Sequence, residues 1–328
     1  MKRFDKDPQV YDVGGVKLGG QPGDYPTVCC FSIFQESDKV FDKGSRRKGF
    51  NEERAGELLK TADKLWEDTG VPVMADIVAS PGEKFNKYVD FVTANSEMPF
   101  CVDAIMMKTK LEGAAYCAEK GLLDRMFYNS LTIWEEDLET EVKELAQIGV
   151  KNILLVAFDN DDSTPNGRIK GTEKLLNAIE KGGAKFESII VDTTTLNGPA
   201  NALCGLSNVL IKEKWGFATA SAPSNGSYME LQRMKDLVGF KGWGGFDAAL
   251  EALTAFYYHD LMFTGPMAGA ERVVPAVALA DAFLATAVFP ETKALPKDEN
   301  HPLNKLFPDF ANQLKASWEK GSGGLKGM

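Results

Sequence analysis

The stretch PFCVDAIMMKTKLEGAAYCAEKGLLDRMFYNSLT, residues 99–132, contains the pattern that predicts the fold. An apolar run at 100–102 stops on Asp103, apolar residues then recur at three- and four-residue steps, and a second apolar run at 126–128 stops on Asn129-Ser130. This order predicts a strand, a helix and a second strand. Consecutive strands joined by a helix run parallel, so Asp103 and Asn129 should emerge at one edge of the sheet. That edge carries the chemistry in parallel α/β proteins.

The same unit recurs along the chain of 328 residues. Eight apolar runs are predicted to be strands, and most are followed by a helical pattern: 26–34, 71–80, 100–102, 126–128, 152–160, 188–195, 217–226 and 260–265. Eight such units predict an α/β fold of the TIM (β/α)8 barrel type. An open doubly wound sheet is the competing fold. No Gly-x-Gly-x-x-Gly motif follows the first strand, which disfavours the dinucleotide-binding version of that fold.

Both ends of the chain are predicted to lie outside the ring of strands. Residues 9–20 have a hairpin pattern around Gly14-Gly15 and are expected to cap the bottom of the barrel. Residues 301–319 have the pattern of one amphipathic C-terminal helix, and 321–328 are expected to form a flexible tail. We therefore expect a single domain over 1–320, with 1–25 as its N-terminal cap.

Composition disfavours two classes of function. The formal net charge is −10, and the main basic cluster is the short KGSRRK at 43–48, which we interpret as a solvated loop, so a nucleic-acid binder is not expected. The N-terminus has no signal pattern, and the apolar-rich stretch 273–289 is shorter than the roughly 20 residues of a spanning helix. We therefore predict a cytoplasmic protein without a membrane segment of its own, with its five cysteines as reduced thiols.

Polar residues stand at or near the ends of five predicted strands: Asp76, Asp103, Asn129, Asp192 and Asn225. In a barrel they converge on one mouth, which then holds carboxylates and amides and no evident metal site. Carboxylates accept hydrogen bonds from N–H groups and amides both donate and accept, so this set suits a ligand rich in N–H donors and ring nitrogens. Each residue could instead be an ordinary helix cap or turn former. Three of them interrupt strongly apolar runs, which favours a site.

Other motifs are interpreted as structural. The segment DNDDS at 159–163 begins like a calcium loop but lacks the required glycine and the final glutamate, so we interpret it as a solvated loop. The segment FKGWGGF at 240–246 lacks the spacing of a phosphate loop and is expected to be a flexible link near the mouth. His259 is expected to be structural rather than catalytic.

Three motifs closely resemble one protein family: FDKDPQVYDVGGVKLGGQPGDYPTV at 4–28, YNS at 128–130 and APSN at 222–225. They resemble the H subunit of the tetrahydromethanopterin S-methyltransferase of methanogens. They also resemble its soluble bacterial relatives, the corrinoid-protein:tetrahydrofolate methyltransferases of methylamine and betaine demethylation. The resemblance covers nearly the whole chain. It implies a TIM barrel of the pterin-binding class, in most members a homodimer.

The resemblance also implies roles for individual residues. Asp103, Asn129-Ser130 and Asp192 match pterin-binding positions of related corrinoid methyltransferases, although Ala104 stands where those relatives have a serine. Ser224-Asn225 matches a pair whose asparagine contacts the reactive pterin nitrogen. With Asp76 from the strand-end pattern, the predicted pterin-binding set is Asp76, Asp103, Asn129, Asp192, Ser224 and Asn225. Asn225 and Asp192 are predicted to be catalytic, and no metal ligand is predicted.

The function implied is transfer of a methyl group between a corrinoid carried by a partner protein and N5 of tetrahydrofolate. Cobalamin would be bound to the partner, which is expected to dock on the loops after the first, fifth and seventh strands. The alternatives are the tetrahydromethanopterin version, working as a subunit of a membrane complex, and a non-catalytic subunit that binds a pterin or a corrinoid protein. A third is another pterin-barrel enzyme such as dihydropteroate synthase, which the lack of an evident basic phosphate site at the mouth disfavours.

Overall fold

Eight parallel strands form a closed barrel in the computed structural model, which describes residues 3–41, 49–79, 85–194 and 196–319. A separate antiparallel hairpin, β1 (Val10–Val13) and β2 (Val16–Gly19), precedes them. The barrel strands follow one another around the ring in chain order, and β10 closes it against β3. They are β3 (Val28–Ile33), β4 (Val73–Val78), β5 (Phe100–Asp103), β6 (Met126–Thr132), β7 (Asn152–Val156), β8 (Ser188–Asp192), β9 (Ala218–Ser221) and β10 (Leu261–Pro266). The predicted TIM barrel is confirmed.

Helices connect the strands and surround the barrel. They are α1 (Glu52–Thr69), α2 (Asn86–Asn95), α3 (Met107–Glu119), α4 (Leu138–Ile148), α5 (Pro165–Gly182), α6 (Asn201–Trp215), α7 (Pro223–Met229), α8 (Leu231–Phe256), α9 (Ala270–Thr292), α10 (Pro302–Leu306) and α11 (Pro308–Glu319). Local sequence explains their limits. At the start of α1, the Asn51 side chain accepts a hydrogen bond from Arg54 N at 2.9 Å, and Gly70 ends the helix with a φ of 81°.

The N-terminal hairpin closes the bottom of the barrel, as predicted. Its inward side chains, Tyr11, Val13, Val16 and Leu18, are buried in one cluster with barrel residues such as Phe127. The backbone also attaches the hairpin at two places, because Gly14 N donates to Asp124 O at 3.1 Å and Gln9 N donates to Gly216 O at 2.8 Å. The lower end of the barrel is thus filled with side chains, and the open end lies at the carboxyl ends of the strands.

Several details differ from the sequence prediction. Strand β6 continues past Asn129 to Thr132, with a register shift against β7 between Tyr128 and Leu131. The predicted strand 217–226 stops at Ser221, because Pro223 opens the short helix α7. The segment 240–246 is helical and follows a break in α8 at Gly239, so it is no flexible link. The C-terminal segment forms two helices, since Pro308 begins a new one after Phe307.

Some predictions concern residues outside the described part of the chain. These are the basic cluster at 43–48, the end of the second predicted strand at residue 80, the start of the following helix before residue 85, Thr195, and the tail 321–328.

One helical stretch has the length and composition of a membrane span. Within the described residues it is Met267–Thr292, with a mean hydropathy of 1.9, and 61% of its apolar window is buried inside the protein. It comprises a short 3-10 turn and α9, which packs along α8 and α1 and buries Val273, Val277 and Phe289. This packing accounts for its apolar character as that of a core helix.

Candidate active site

A cavity of about 410 Å³ opens at the carboxyl ends of the barrel strands. Polar side chains from several strands and from α7 line it, together with the ring of Phe263. All six residues of the predicted pterin site are among the lining residues: Asp76, Asp103, Asn129, Asp192, Ser224 and Asn225. The fold therefore brings together, at one mouth, residues that lie far apart in the sequence.

Strand register sets the spacing of the first three of these side chains. Asp103 on β5 pairs with Asn129 on β6, and Asp76 on β4 pairs with Cys101, two residues before Asp103. Because alternate residues of a strand share a face, Asp76, Asp103 and Asn129 all point into the barrel. Asn129 Nδ2 donates a hydrogen bond to Asp76 Oδ1 at 3.2 Å. The amide thus links β6 to β4 past the intervening strand β5.

The carboxyl groups of Asp76 and Asp103 titrate as an interacting pair. Burial and the neighbouring charge of Asp103 raise the pKa of Asp76 well above its ordinary value, although the bond from Asn129 acts in the opposite direction. Burial raises the pKa of Asp103 to about 6, and the positive charge of Lys110 opposes this shift. Ionisation of one carboxyl group disfavours ionisation of the other, so one of the two can keep its proton while its neighbour is charged. The pair can present both a hydrogen-bond donor and an acceptor to a ligand.

Lys110 is a buried cation next to this pair that the sequence analysis did not find. It lies on α3, and its Nζ donates to Ser130 O at 2.5 Å and forms an ion pair with Glu141 at 3.1 Å. The Tyr128 hydroxyl donates to the same Glu141 carboxylate. Lys110 does not line the cavity. Its bond to Ser130 O fixes the backbone directly after Asn129, in the irregular part of β6. In the sequence, Lys110 cannot be told from an exposed lysine on the outer face of a helix. Only the packing of α3 shows that it is buried.

Asp192 is the buried carboxylate at the end of β8. Its Oδ1 accepts a hydrogen bond from Thr194 N at 2.7 Å. Burial raises the pKa of Asp192 to about 6, while the bond from Thr194 and the charge of Arg168 act in the opposite direction. The cavity side of this carboxylate meets no cation among its lining residues. An arriving N–H donor would therefore stabilise its charged form.

Arg168 fixes the loop that follows Asp192, and it too was not found from the sequence. This buried residue of α5 donates from Nε to Thr193 O at 2.7 Å and from Nη2 to Thr194 O at 3.1 Å, and Nη1 donates to Ser163 O. Its donors are taken up by carbonyls at the ends of two neighbouring loops. The guanidinium thus acts on the cavity through backbone position and charge and does not touch its interior.

Ser224 and Asn225 reach the cavity from α7 and not from a loop, which corrects the sequence prediction. Ser224 is buried, and its hydroxyl donates to Phe263 O at 2.8 Å. Asn225 is exposed to the cavity, and its side chain forms no hydrogen bond with the described residues. A free amide that faces three carboxylates across a cavity is available to a ligand.

The remaining lining residues add both polar and apolar surface to the pocket. Gln35, Ser37 and Thr194 add polar groups at the rim, whereas Tyr228, Phe263 and Pro266 add apolar surface. Cys30 forms part of the floor, and burial raises the pKa of its thiol well above the ordinary value, so it is neutral. In the described ranges no three His, Cys, Asp or Glu side chains are grouped as metal ligands would be. The chemistry of the site is hydrogen bonding by carboxylates and amides.

Comparison with known sequences identifies the family. A family profile described as the tetrahydromethanopterin S-methyltransferase MtrH subunit matches residues 6–292. The chain belongs to the MtrH family. The H subunit of tetrahydromethanopterin S-methyltransferase from Methanopyrus kandleri is 31% identical over 320 residues, which cover 91% of this chain and 97% of that protein. The H subunit of tetrahydromethanopterin S-methyltransferase from Methanosarcina acetivorans is 30% identical over 327 residues, which cover 93% of this chain and 100% of that protein. MtrH is thus a family of methyltransferase subunits.

Solved structures show the same fold at much lower identity. Dihydropteroate synthase of Yersinia pestis, solved with a pterine-sulfa conjugate, aligns over 84% of this chain and 99% of its own length. The TM-score is 0.57 and the sequence identity 13%. At that identity the likeness concerns the barrel alone.

Replacing Asp192 by asparagine should make the unliganded protein more stable in a pH-dependent way. The folded protein retains the Asp192 proton up to about pH 6, whereas the unfolded chain releases it near the ordinary value of 3.8. Native stability is therefore lost as pH rises between these values, and Asp192→Asn removes that loss. Urea unfolding should show no difference at pH 4 and a gain of at most about 3 kcal/mol above pH 7.

The matched control for this experiment is Asp161→Asn, on the exposed loop after β7, which should change the unfolding free energy by less than about 0.5 kcal/mol. A gain for Asp192→Asn that is equal at every pH would contradict the assignment.

Proposed function

We propose that this protein transfers a methyl group between N5 of a reduced pterin and a corrinoid carried by a partner protein. The observation that carries the proposal is the cavity itself, in which Asp76, Asp103 and Asp192 face Asn129 and Asn225. Membership of a methyltransferase family restricts the reaction class. The cavity supplies the hydrogen-bonding groups that a pterin ring needs.

The carboxylates are assigned to the amino-pyrimidinone edge of the pterin. This edge presents N–H donors together with one carbonyl acceptor, so it requires both ionised and protonated oxygens. Burial raises the pKa of Asp103 and of Asp192 to about 6 each. Hydrogen bonds from the N–H groups of the ring would stabilise the charged form of both carboxylates. Whichever carboxyl group of the Asp76–Asp103 pair keeps its proton can donate to the ring carbonyl. Phe263 provides an apolar surface against which the ring can lie.

Asn225 is assigned to the reacting nitrogen. In the forward direction the cobalt(I) of the corrinoid attacks the methyl carbon, a C–Co bond forms and the C–N5 bond breaks. Cobalt is oxidised to cobalt(III), and the electron pair of the broken bond remains on N5, which takes up a proton. An amide N–H directed at N5 stabilises this charge as it develops, and the remaining contribution is positioning. The reverse reaction uses the same contacts.

For the pterin, the relatives favour tetrahydromethanopterin over the tetrahydrofolate expected from the sequence. The family description and the Methanopyrus protein both name tetrahydromethanopterin, and the comparisons give no support for the folate. We therefore propose tetrahydromethanopterin as the substrate and keep tetrahydrofolate as the alternative for the assay. A subunit that binds without turnover remains the second candidate. The free amide of Asn225 favours catalysis, because pure binding would not need an unpaired donor at the reaction centre.

Replacing Asn225 by alanine should slow methyl transfer without abolishing pterin binding. Loss of one oriented donor to a developing charge lowers the rate by about 100-fold, whereas the carboxylates still hold the ring. Asp192→Asn should instead weaken pterin binding by about 10- to 100-fold, because a charged acceptor is lost. The measurement is anaerobic single-turnover spectroscopy with free cob(I)alamin and each methylated pterin, together with calorimetric pterin affinities.

Asn177→Ala, an exposed amide on α5, is the control and should change neither quantity. Conversion only with methyltetrahydrofolate would overturn the choice of pterin. Tight pterin binding without conversion of either substrate, even in the presence of the corrinoid protein, would establish the binding-subunit alternative.

The mouth carries an exposed apolar rim on which we propose that the corrinoid carrier docks. Ile105 and Met106 follow β5, Trp134 follows β6, Leu196 follows β8 and Met229 ends α7, and each side chain is at least half exposed. Ile105 is 88% exposed. An apolar rim around a polar cavity is typical of a surface that a partner covers. The sequence analysis expected docking on the loops after the first, fifth and seventh barrel strands, which are β3, β7 and β9. This proposal adds the loops after β5, β6 and β8.

Trp134→Ala should weaken use of the carrier protein and leave the reaction with free cobalamin unchanged. A large aromatic side chain at the centre of an interface typically contributes enough for about a tenfold rise in the carrier KM. Leu306→Ala, at an exposed apolar residue on α10 outside both the rim and the cavity lining, is the control. Equal losses with carrier and with free cobalamin would place Trp134 in the reaction centre and contradict docking.

A second apolar face lies on the outer side of α6, α8 and α9, and we propose that two copies of the chain meet there. Leu203, Leu206 and Leu210 share one face of α6, Leu253 projects from α8, and Leu279 and Phe283 project from α9. A neighbouring surface cavity of about 280 Å³ is lined by Leu250, Leu253 and Phe256. Projecting side chains beside an apolar hollow form a self-complementary patch, which two-fold symmetry requires. We place this dimer in the cytoplasm, where cysteines remain reduced.

Phe283→Asp should convert the dimer to a monomer, because it would bury an unpaired charge in the interface. Sedimentation equilibrium at micromolar concentration measures the change. Leu237→Asp, at an equally exposed apolar position on the mouth side of α8, should leave the dimer intact. A native protein that is monomeric at these concentrations would refute the proposal.

A further inference from the structure

The short helix α7 carries Asn225, and it needs support from outside itself. It has seven residues, which is too short to be stable alone. The preceding strand β9 ends at Ser221, and α8 begins directly after Glu230. The position of Asn225 therefore depends on what the buried residues of α7 contact.

Ser227 is the principal buried contact of α7 with the helices around the barrel. Its hydroxyl donates to Asp247 Oδ1, and its carbonyl accepts a hydrogen bond from Trp243 Nε1 at 3.0 Å. Ser227, Trp243 and Asp247 are all buried. Trp243 and Asp247 lie four residues apart on α8 and therefore share one face. The hydroxyl and the carbonyl of Ser227 are thus both bound by α8, and the hydroxyl also lies 3.1 Å from Ser224 O within α7.

The buried Asp247 is itself fixed by an ion pair with a partly buried arginine on the next helix. Arg272, on α9, places Nε at 2.8 Å and Nη2 at 2.7 Å from Asp247 Oδ2. Its guanidinium lies 4.9 Å from the centre of the Trp243 ring. One carboxylate oxygen thus takes the arginine and the other takes Ser227. A charge pair of this kind holds its geometry, because any displacement leaves a charge without a partner.

Two further contacts restrict α7 on either side of Asn225. The Ser224 hydroxyl donates to Phe263 O at 2.8 Å. At Gly226 there is no room for a side chain, since a Cβ atom would lie 2.5 Å from Gly198 N. Residues 224, 226 and 227 are thus held against the protein, while the exposed Asn225 between them lines the cavity. Such a pattern fixes the direction of one side chain.

We infer that Asp247 is a positioning residue, which acts through Ser227 to hold the Asn225 amide at the reacting atom of the bound substrate. The inference rests on the proposed function of Asn225. It assigns a positioning role to an ion pair between two helices that does not line the cavity. Arg272 contributes by holding the Asp247 carboxylate in its orientation.

The test is a double-mutant cycle of Ser227→Ala with Asn225→Ala, chosen because Ser227→Ala removes one hydroxyl and leaves the ion pair in place. In the native background, Ser227→Ala should lower the single-turnover methyl-transfer rate about tenfold and leave the pterin Kd unchanged. In the Asn225→Ala background it should have no further effect, because its effect passes through the missing amide. Asp247→Asn should repeat this pattern.

Hydrogen exchange supplies a readout that is independent of turnover. Ser227→Ala should accelerate exchange of the amides in 224–229 while leaving the barrel strands unchanged. The matched control is Ser207→Ala on α6, a buried serine whose hydroxyl donates to Leu203 O at 2.7 Å within its own helix. It should alter neither the rate nor the exchange of α7.

The outcomes separate this inference from the proposed function. If the native protein transfers no methyl group, the proposed function fails, and unchanged exchange in Ser227→Ala would then overturn the anchor as well. If the native protein is active and the two substitutions have additive effects on the rate, Ser227 acts on stability alone and the inference is wrong. A loss of pterin affinity equal to the loss of rate would also overturn it.

Discussion

The pairing of β10 with β3 is the contact on which the whole arrangement depends. It joins Leu261 to Val28 and Met262 to Cys29, so residues near opposite ends of the chain complete the ring of backbone hydrogen bonds. Thr264 adds a side-chain bond to Cys30 O at 3.1 Å across the same seam. Without this closure both strands would present unpaired edges to solvent. The carboxyl ends of β4, β5, β6 and β8 would also no longer surround one cavity.

Closure of the barrel also buries three carboxyl groups whose charged forms a ligand can stabilise. Asp76, Asp103 and Asp192 enter a space where burial opposes their ionisation, and each pKa is raised. In the unliganded protein this lowers stability near neutral pH. A ligand that donates N–H groups supplies the missing partners, so the same carboxylates that weaken the fold provide affinity. The positive charges of Lys110 and Arg168 partly oppose the raised pKa values of Asp103 and Asp192. Both cations remain outside the cavity, because each is held by backbone carbonyl groups.

Much of the architecture could be predicted, because strand, helix and turn patterns are local properties of the sequence. The eight apolar runs, the hairpin around Gly14-Gly15 and the strand-end positions of Asp103 and Asp192 all follow from short-range periodicity. The ends of strands and helices could not be predicted where a tertiary contact overrides the local sequence pattern. The run 217–226 is apolar enough for a strand, yet Pro223 and the contacts of Ser224 and Ser227 make its second half a helix. Likewise, 240–246 is rich in glycine but is helical around the buried Trp243.

The sequence by itself determined the order of the eight strand–helix units, the set of polar residues at the strand ends and, through its motifs, the family. Only the tertiary structure decided how these residues act together. The register of β4, β5 and β6 brings Asn129 to Asp76, and helix packing places Lys110 beside Asp103 and joins Arg272 to Asp247. The physical reason is that periodicity records which face of an element is buried, whereas hydrogen bonds and charges depend on distances between elements remote in sequence. Such residues come within hydrogen-bonding distance of one another only when the chain has folded into the closed barrel.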